Sequence, residues 1–154
     1  SDLWPFTRPM AEAEAYRQRL DDAMANNPGA PRPVFAMMRH TAVYDSKDDW
    51  MVPIRAVQRV LSQFENLYKN LGDVRNGFPA SIDLKDLENR EEYSPTMLQE
   101  NLMFGTPDEV IGKLKKYEAL GVDEFTYYAS MGLGRKEQCR SLELFINEVM
   151  PAFA

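Results

Sequence analysis

The 154-residue chain holds one cysteine, Cys139, and one histidine, His40. A single cysteine excludes an internal disulfide framework and any paired-cysteine metal motif. It fits a reducing, cytoplasmic setting. The lone histidine has no Cys, Ser or carboxylate partner at a triad or metal-ligand spacing, so no metal is expected. Basic residues are in deficit, 18 against 24 acidic, for a net charge of −6. No run of lysine and arginine appears, and nucleic acid is a poor partner for such a chain. No apolar run is long enough to span a bilayer, and no signal peptide is visible, so no membrane partner is expected. There is no Gly-x-Gly-x-x-Gly, no P-loop, no fixed-period repeat and no low-complexity tract. An initiator methionine is also missing: the chain opens Ser1-Asp2-Leu3, as a portion of something longer would.

What is present is a globular composition, 44% apolar, in a length that suits one domain over residues 1–154. The punctuation is clearest in residues 101–153. Leu102-Met103-Phe104 is a short apolar run ended by Gly105. Thr106-Pro107-Asp108-Glu109 then has the form of a capping box, with proline at the first helical position. Val110, Ile111, Leu114, Tyr117 and Leu120 recur at helical spacing. Gly121 is expected as a left-handed C-cap, with Val122 folding back on the last turn. Residues 125–131 form a nearly continuous apolar run, the pattern of a strand covered on both faces. A last helix over 136–150 places Cys139, Leu142, Phe145, Ile146, Val149 and Met150 on one expected buried side.

Upstream, residues 3–6 resemble a strand end, and 10–25 a helix with Tyr16, Leu20, Ala23 and Met24 inward. Residues 34–43 form a β-branched apolar run interrupted by Arg39-His40-Thr41. Ser46 is the expected N-cap of a long helix. In it Trp50, Ile54, Val57, Val60, Leu61, Phe64, Leu67, Tyr68 and Leu71 keep a 3.6-residue period up to Gly72. Residues 73–100 lose that period and are expected to be an insertion loop with one short helix capped by Ser94-Pro95. The order alternates strand and helix. That implies parallel strands with right-handed crossovers, satisfied by an open α/β sheet or by half of a (β/α)8 barrel.

Three ordered stretches carry a family likeness. They are Gly105-Thr106-Pro107-Asp108-Glu109-Val110, then Ala119-Leu120-Gly121-Val122-Asp123-Glu124-Phe125, then Arg140-Ser141-Leu142-Glu143-Leu144-Phe145 with Glu148-Val149-Met150-Pro151. With Met37-Met38-Arg39-His40-Thr41 ahead of a long helix, they resemble the C-terminal end of luciferase-like flavin-dependent monooxygenases. The resemblance implies the C-terminal half of a (β/α)8 TIM barrel whose whole is about twice this length, with a long insertion before the third full strand-helix unit. It implies reduced FMN, or the deazaflavin F420 in some branches, with O2, a small organic substrate and a separate flavin reductase. Much of the flavin pocket would lie on earlier strands, so the chain by itself is expected to be inactive. Its open strand edges would be buried in a homodimer or larger oligomer. The alternative is a non-catalytic accessory or assembly protein that keeps the half-barrel shape.

Barrel sites gather at the C-terminal ends of strands. That rule brings forward Trp4, Tyr127 and Met131 as substrate-side candidates. Tyr44, Tyr128 and Ser130 are flavin-side candidates, and barrel packing is the competing reading for all six. His40 reads first as a hydrogen-bonded core or wall residue, with a proton relay as the alternative. Arg39 would contact a flavin phosphate or sit in a structural ion pair. Tyr127 and Tyr128 must face opposite sides of their strand. Met37, Met38 and Cys139 read as core. The acidic run from Glu88 to Glu92 reads as solvated surface, and Gly132-Leu133-Gly134 as a turn, or as an anion-binding one.

Overall fold

A computed structural model describes residues 9–69 and 73–153. Trp4 and the expected strand end at 3–6 lie outside the described residues, as do Leu71, Gly72 and the side chains of Phe64, Leu67 and Tyr68. The chain runs α1 (Pro9–Asn26), β1 (Ala36–Val43), a 3-10 turn (Lys47–Trp50) and α2 (Met51–Lys69). A small hairpin, β2 (Val74–Arg75) and β3 (Phe78–Pro79), leads to α3 (Leu84–Glu88) and α4 (Pro95–Asn101). Then come β4 (Met103–Gly105), α5 (Pro107–Ala119), β5 (Glu124–Ala129) and α6 (Arg135–Leu144). The last helix continues as a π turn (Phe145–Val149) and a 3-10 turn (Met150–Phe153).

Local chemistry sets the boundaries. Ser46 caps the turn before α2, its Oγ accepting from the Asp48 N–H at 3.2 Å. At α5 the Thr106 N–H donates to Glu109 Oε2 at 2.9 Å, which satisfies one of the orphan donors of that helix start. The end of α5 is a Schellman motif. Val122 N–H reaches Tyr117 O at 3.1 Å, Gly121 N–H reaches Glu118 O at 2.8 Å, and Gly121 takes φ +87°. Between β2 and β3, Asn76 (φ 52°) and Gly77 (φ 82°) make the two-residue turn that an Asn-Gly pair favours. Residues 73–100 are therefore not one loop with one helix. They hold this hairpin, α3 and α4.

Among the described residues the main sheet has three strands, all parallel, in the order β4-β1-β5. Parallel pairing agrees with the sequence. The order differs from that of a barrel wall cut in series, where β4 would lie between β1 and β5. The helices also occupy both faces. Ile54, Val57 and Leu61 of α2, Leu87 of α3 and Leu98 of α4 pack with Ala42 and Phe104 on one side. Ala13 of α1, Val110, Leu114 and Tyr117 of α5, and Leu144, Phe145 and Val149 pack with Met37, Val43 and Met103 on the other. Alternation along β1 and β4 drives this, since neighbouring residues point to opposite faces and both sets are apolar. Ile54, Leu98 and Phe104 have no exposed surface, and each burial contributes roughly 1.5–3 kcal/mol.

Four burial expectations need correction. In α1, Tyr16 (58% exposed) and Ala23 are at the surface and Leu20 and Met24 are half-buried, because the helix meets the core through Ala13. β5 is an edge strand: Glu124, Thr126, Tyr128 and Ala129 are exposed, so it is not covered on both faces. Met38 (54% exposed) and Cys139 are at the surface, not in the core. In the last helix the buried side is Ser141, Leu144, Phe145 and Val149, while Leu142, Ile146 and Met150 face outward. That segment carries two apolar stripes, and only one of them meets the sheet.

Candidate functional site

α2 leaves β1 toward one face of the sheet, and α6 leaves β5 toward the other. Where neighbouring strands send their helices to opposite sides, a crevice opens beyond the strands' C-terminal ends. A cavity of about 340 Å³ lies there. Ala42, Val52, Pro53 and Leu133 give it an apolar floor, and Tyr44 forms part of its wall. Its rim is charged in both signs, with Asp45, Asp49 and Glu137 against Lys136 and Arg140.

Long-range polar contacts hold the walls. Arg140 Nε donates to Asp45 Oδ2 at 3.0 Å and Nη2 to Asp45 Oδ1, a bidentate pair that bridges β1's end to α6. The guanidinium holds the Asp45 carboxyl below its usual range. The buried Ser141 Oγ accepts the Val43 N–H at 2.8 Å and lies 2.8 Å from the Tyr127 hydroxyl. This one hydroxyl ties α6 to both β1 and β5. Tyr44 is buried, and its hydroxyl accepts from Gln99 Nε2 at 2.8 Å. Burial pushes the Tyr44 phenol up to about 12, against the Gln99 bond, so it stays protonated. At the cavity's edge Gly132 takes φ +83°, and a Cβ there would come within 2.4 Å of Ala56 O. Only glycine lets this turn lie against α2.

Of the residues singled out in the sequence, Tyr44 lines this cavity. His40 lies mid-strand, 8% exposed, with its ring edge-on to Tyr128 at 4.6 Å. Desolvation lowers its pKa to about 4, so the imidazole is neutral near pH 7. Arg39 points to the opposite face, over the Tyr117 ring at 5.9 Å, and its Nη1 donates to Met38 O at 2.9 Å. Tyr127 faces α6, and Tyr128 the other side, as alternation requires. Ser130 is buried, and its Oγ has no hydrogen-bond partner among the described residues. Met131 is half-buried, and neither it nor Tyr128 lines the cavity. The strand ends therefore do not pool their candidates in one place. The residues missed were Asp45, Arg140 and Ser141. The Asp45–Arg140 contact spans 95 positions, beyond any local pattern.

A cavity of this size is at the small end of organic-ligand pockets, roughly 300–1,000 Å³. It suits a compact molecule. Among the described residues, no cluster of His, Cys, Asp and Glu has the makings of a metal site, and no helix is long and apolar enough to cross a membrane.

The chain is similar over 143 residues to the oxygenase component of a flavin-dependent trigonelline monooxygenase from Acinetobacter baylyi, at 32% identity, covering 93% of this chain and 40% of that protein. It is also 40% identical over 68 residues to mitochondrial lipoyl synthases of Sorghum bicolor and Oryza sativa subsp. indica, covering 41% of this chain and 17% of each. No family model matches the chain, and no solved structure does. The chain thus spans less than half the length of these curated relatives. The first similarity supports a flavin-monooxygenase family. The second, over so small a share of both partners, supports no functional reading.

Proposed function

We propose that this chain is part of the oxygenase component of a flavin-dependent monooxygenase, and that it supplies the substrate side of the site. The observation that carries the reading is the 32% identity spread over 93% of the chain. The cavity beyond β1 supports it, because an apolar floor with acidic and basic groups on the rim suits a small organic substrate bearing charge. In this reading Tyr44 and Leu133 pack against the substrate, and Asp49 and Lys136 select its charge. His40, neutral and walled by Tyr128, is a positioning group. The flavin is reduced FMN, with F420 as the alternative, and the rest of the longer protein holds most of it. A separate reductase supplies the reduced flavin, and O2 is the co-substrate. The longer protein is a cytoplasmic (β/α)8 barrel in which β4 comes to lie between β1 and β5, and it assembles as an oligomer.

A chimera tests the reading. This chain replaces the matching 143 residues of the Acinetobacter baylyi component, and O2-dependent turnover is measured with that system's reductase. Turnover above that of the truncated component supports the proposal. A folded chimera that binds FMN yet oxidises nothing sinks it. A second reading, a non-catalytic accessory protein, is favoured by one observation: of Arg39, Tyr44, Tyr128 and Ser130, only Tyr44 lines the cavity. Titrating this chain with FMN and following flavin fluorescence separates the two. The enzyme reading expects weak binding that strengthens in the chimera. The accessory reading expects none in either.

A further inference from the structure

The C-terminal helix covers the Phe125–Tyr127 face of β5 only in part, through Phe145, whose ring lies 6.1 Å from that of Phe125 and 5.0 Å from that of Tyr127. The rest of that face is the floor of a groove of about 550 Å³ between α5 and the C-terminal helix. Leu142, Ile146, Met150 and Phe153 form one wall, and they are 43%, 49%, 52% and 37% exposed. Their spacing of four, four and three makes a continuous stripe about three helical turns long. Apolar surface of this extent, left open on a soluble fold, marks an interaction site.

The charges identify the occupant. The groove is lined by Glu118, Asp123 and Glu124, and among the described residues no basic one lines it. Asp123 is already matched by Arg32 at 2.7 Å, which leaves Glu118 and Glu124 to bias what enters. A second copy of this face would bring the same carboxylates to the seam and repel itself. We propose that the groove docks an amphipathic helix of a partner protein. That helix would present two or three large apolar side chains at i, i+4 and i+7, with lysine or arginine along its flanks. The inference does not depend on the flavin reading, since the groove is lined by none of the cavity's floor or rim residues.

The test uses the whole chain and two labelled 14-residue peptides patterned as amphipathic helices, one of leucine and lysine, the other of leucine and glutamate, read by fluorescence anisotropy. The Leu/Lys peptide should bind, with affinity falling as salt rises. The Leu/Glu peptide should bind at least about tenfold more weakly, a difference of roughly 1.4 kcal/mol. Ile146→Ser and Met150→Ser, both at half-exposed positions, should each weaken the Leu/Lys complex while the circular dichroism spectrum stays unchanged. Should either variant unfold, the exposed pair Glu118→Lys and Glu124→Lys serves instead and should reverse the preference between the peptides. Equal binding of both peptides, indifference to these substitutions, or no binding would overturn the proposal. So would a concentration-dependent dimer that Ile146→Ser dissolves, because the groove would then belong to a second copy.

Discussion

The two edges of the sheet are finished in opposite ways. β4 is three residues long and wholly buried. Its outward carbonyls are taken: Lys113 Nζ donates to Leu102 O and Phe104 O, each at 2.8 Å, and to Gln99 O, while Gln99 Nε2 reaches Phe104 O at 3.3 Å. β5 is six residues long, borders an open apolar groove on one face and is exposed on the other. An ammonium that occupies a row of strand carbonyls disfavours edge-to-edge pairing. One edge is thus complete within the chain, and the other is left for a neighbour. A barrel that placed β5 beside β4 would first have to draw Lys113 off those carbonyls.

The largest effect expected from this contrast is in the cores behind the two edges. Phe104→Ala on β4 removes a side chain with no exposure and should cost about 3–5 kcal/mol in urea unfolding. Tyr128→Ala on β5 removes one that is 39% exposed and should cost roughly 1 kcal/mol or less. Equal losses would mean that β5 is as enclosed as β4, and the contrast would fail.

The Lys113 latch should show itself in the pH dependence of stability. Burial lowers its pKa from the usual 10.5 to about 8, against the pull of Glu109 and Glu100. Between pH 8 and 10.5 the unfolded chain therefore binds more protons than the folded one, and stability rises with pH. The gain should reach about 3 kcal/mol at most. Above pH 10 the trend should reverse, because Tyr44, raised to about 12, stays protonated in the fold after its unfolded counterpart has ionised. Lys113→Met should abolish the rise and leave the fall. A flat wild-type profile from pH 8 to 10 would show that the ammonium is not desolvated at this edge.

His40 probes the side of β1 that faces the open edge. Its pKa is lowered from 6.5 to about 4 by desolvation. As pH falls from 6.5 to 4 the unfolded chain takes up a proton that the folded one refuses, so stability declines across that window. With Tyr128 half open to water beside it, the loss should be about 2 kcal/mol. His40→Gln should remove this acid limb from the profile. An unchanged limb would place the sensitive group elsewhere.

How much of this was legible depends on how local the cause is. The caps at Ser46, Ser94, Thr106–Glu109 and Gly121–Val122 are set by contacts within four or five residues, and the sequence displays them. The Asn76-Gly77 hairpin was equally local and was passed over because the flanking strands are only two residues each. The burial of β5 was not legible. Phe125, Tyr127 and Tyr128 look alike in a string, and only the strand order decides which of them find a covering layer. The C-terminal helix misled for a related reason, since its Leu142–Ile146–Met150 stripe is as regular as the Leu144–Phe145–Val149 one that is buried. For the site, the pattern brought Tyr44 forward as a strand-end aromatic. Asp45, Arg140 and Ser141 become visible only when β1 and α6 are brought together.

The smallest expected effect is the sharpest on the edge itself, because it compares one residue type on adjacent strands. Thr41, in the central strand, is fully buried, and its hydroxyl donates to Arg39 O at 2.9 Å. Thr126, in β5, is exposed and pairs in register with Met38. Replacing threonine by valine keeps the β-branch and removes only the hydroxyl. At Thr41 that deletes a partly buried hydrogen bond and should cost about 1 kcal/mol. At Thr126 the hydroxyl is solvated in both states, so the change should stay within about 0.5 kcal/mol, read as a shift in the urea midpoint with the m-value held. A larger cost at Thr126 than at Thr41 would mean that the outer face of β5 is already covered in solution, and the free edge assigned to it would not exist.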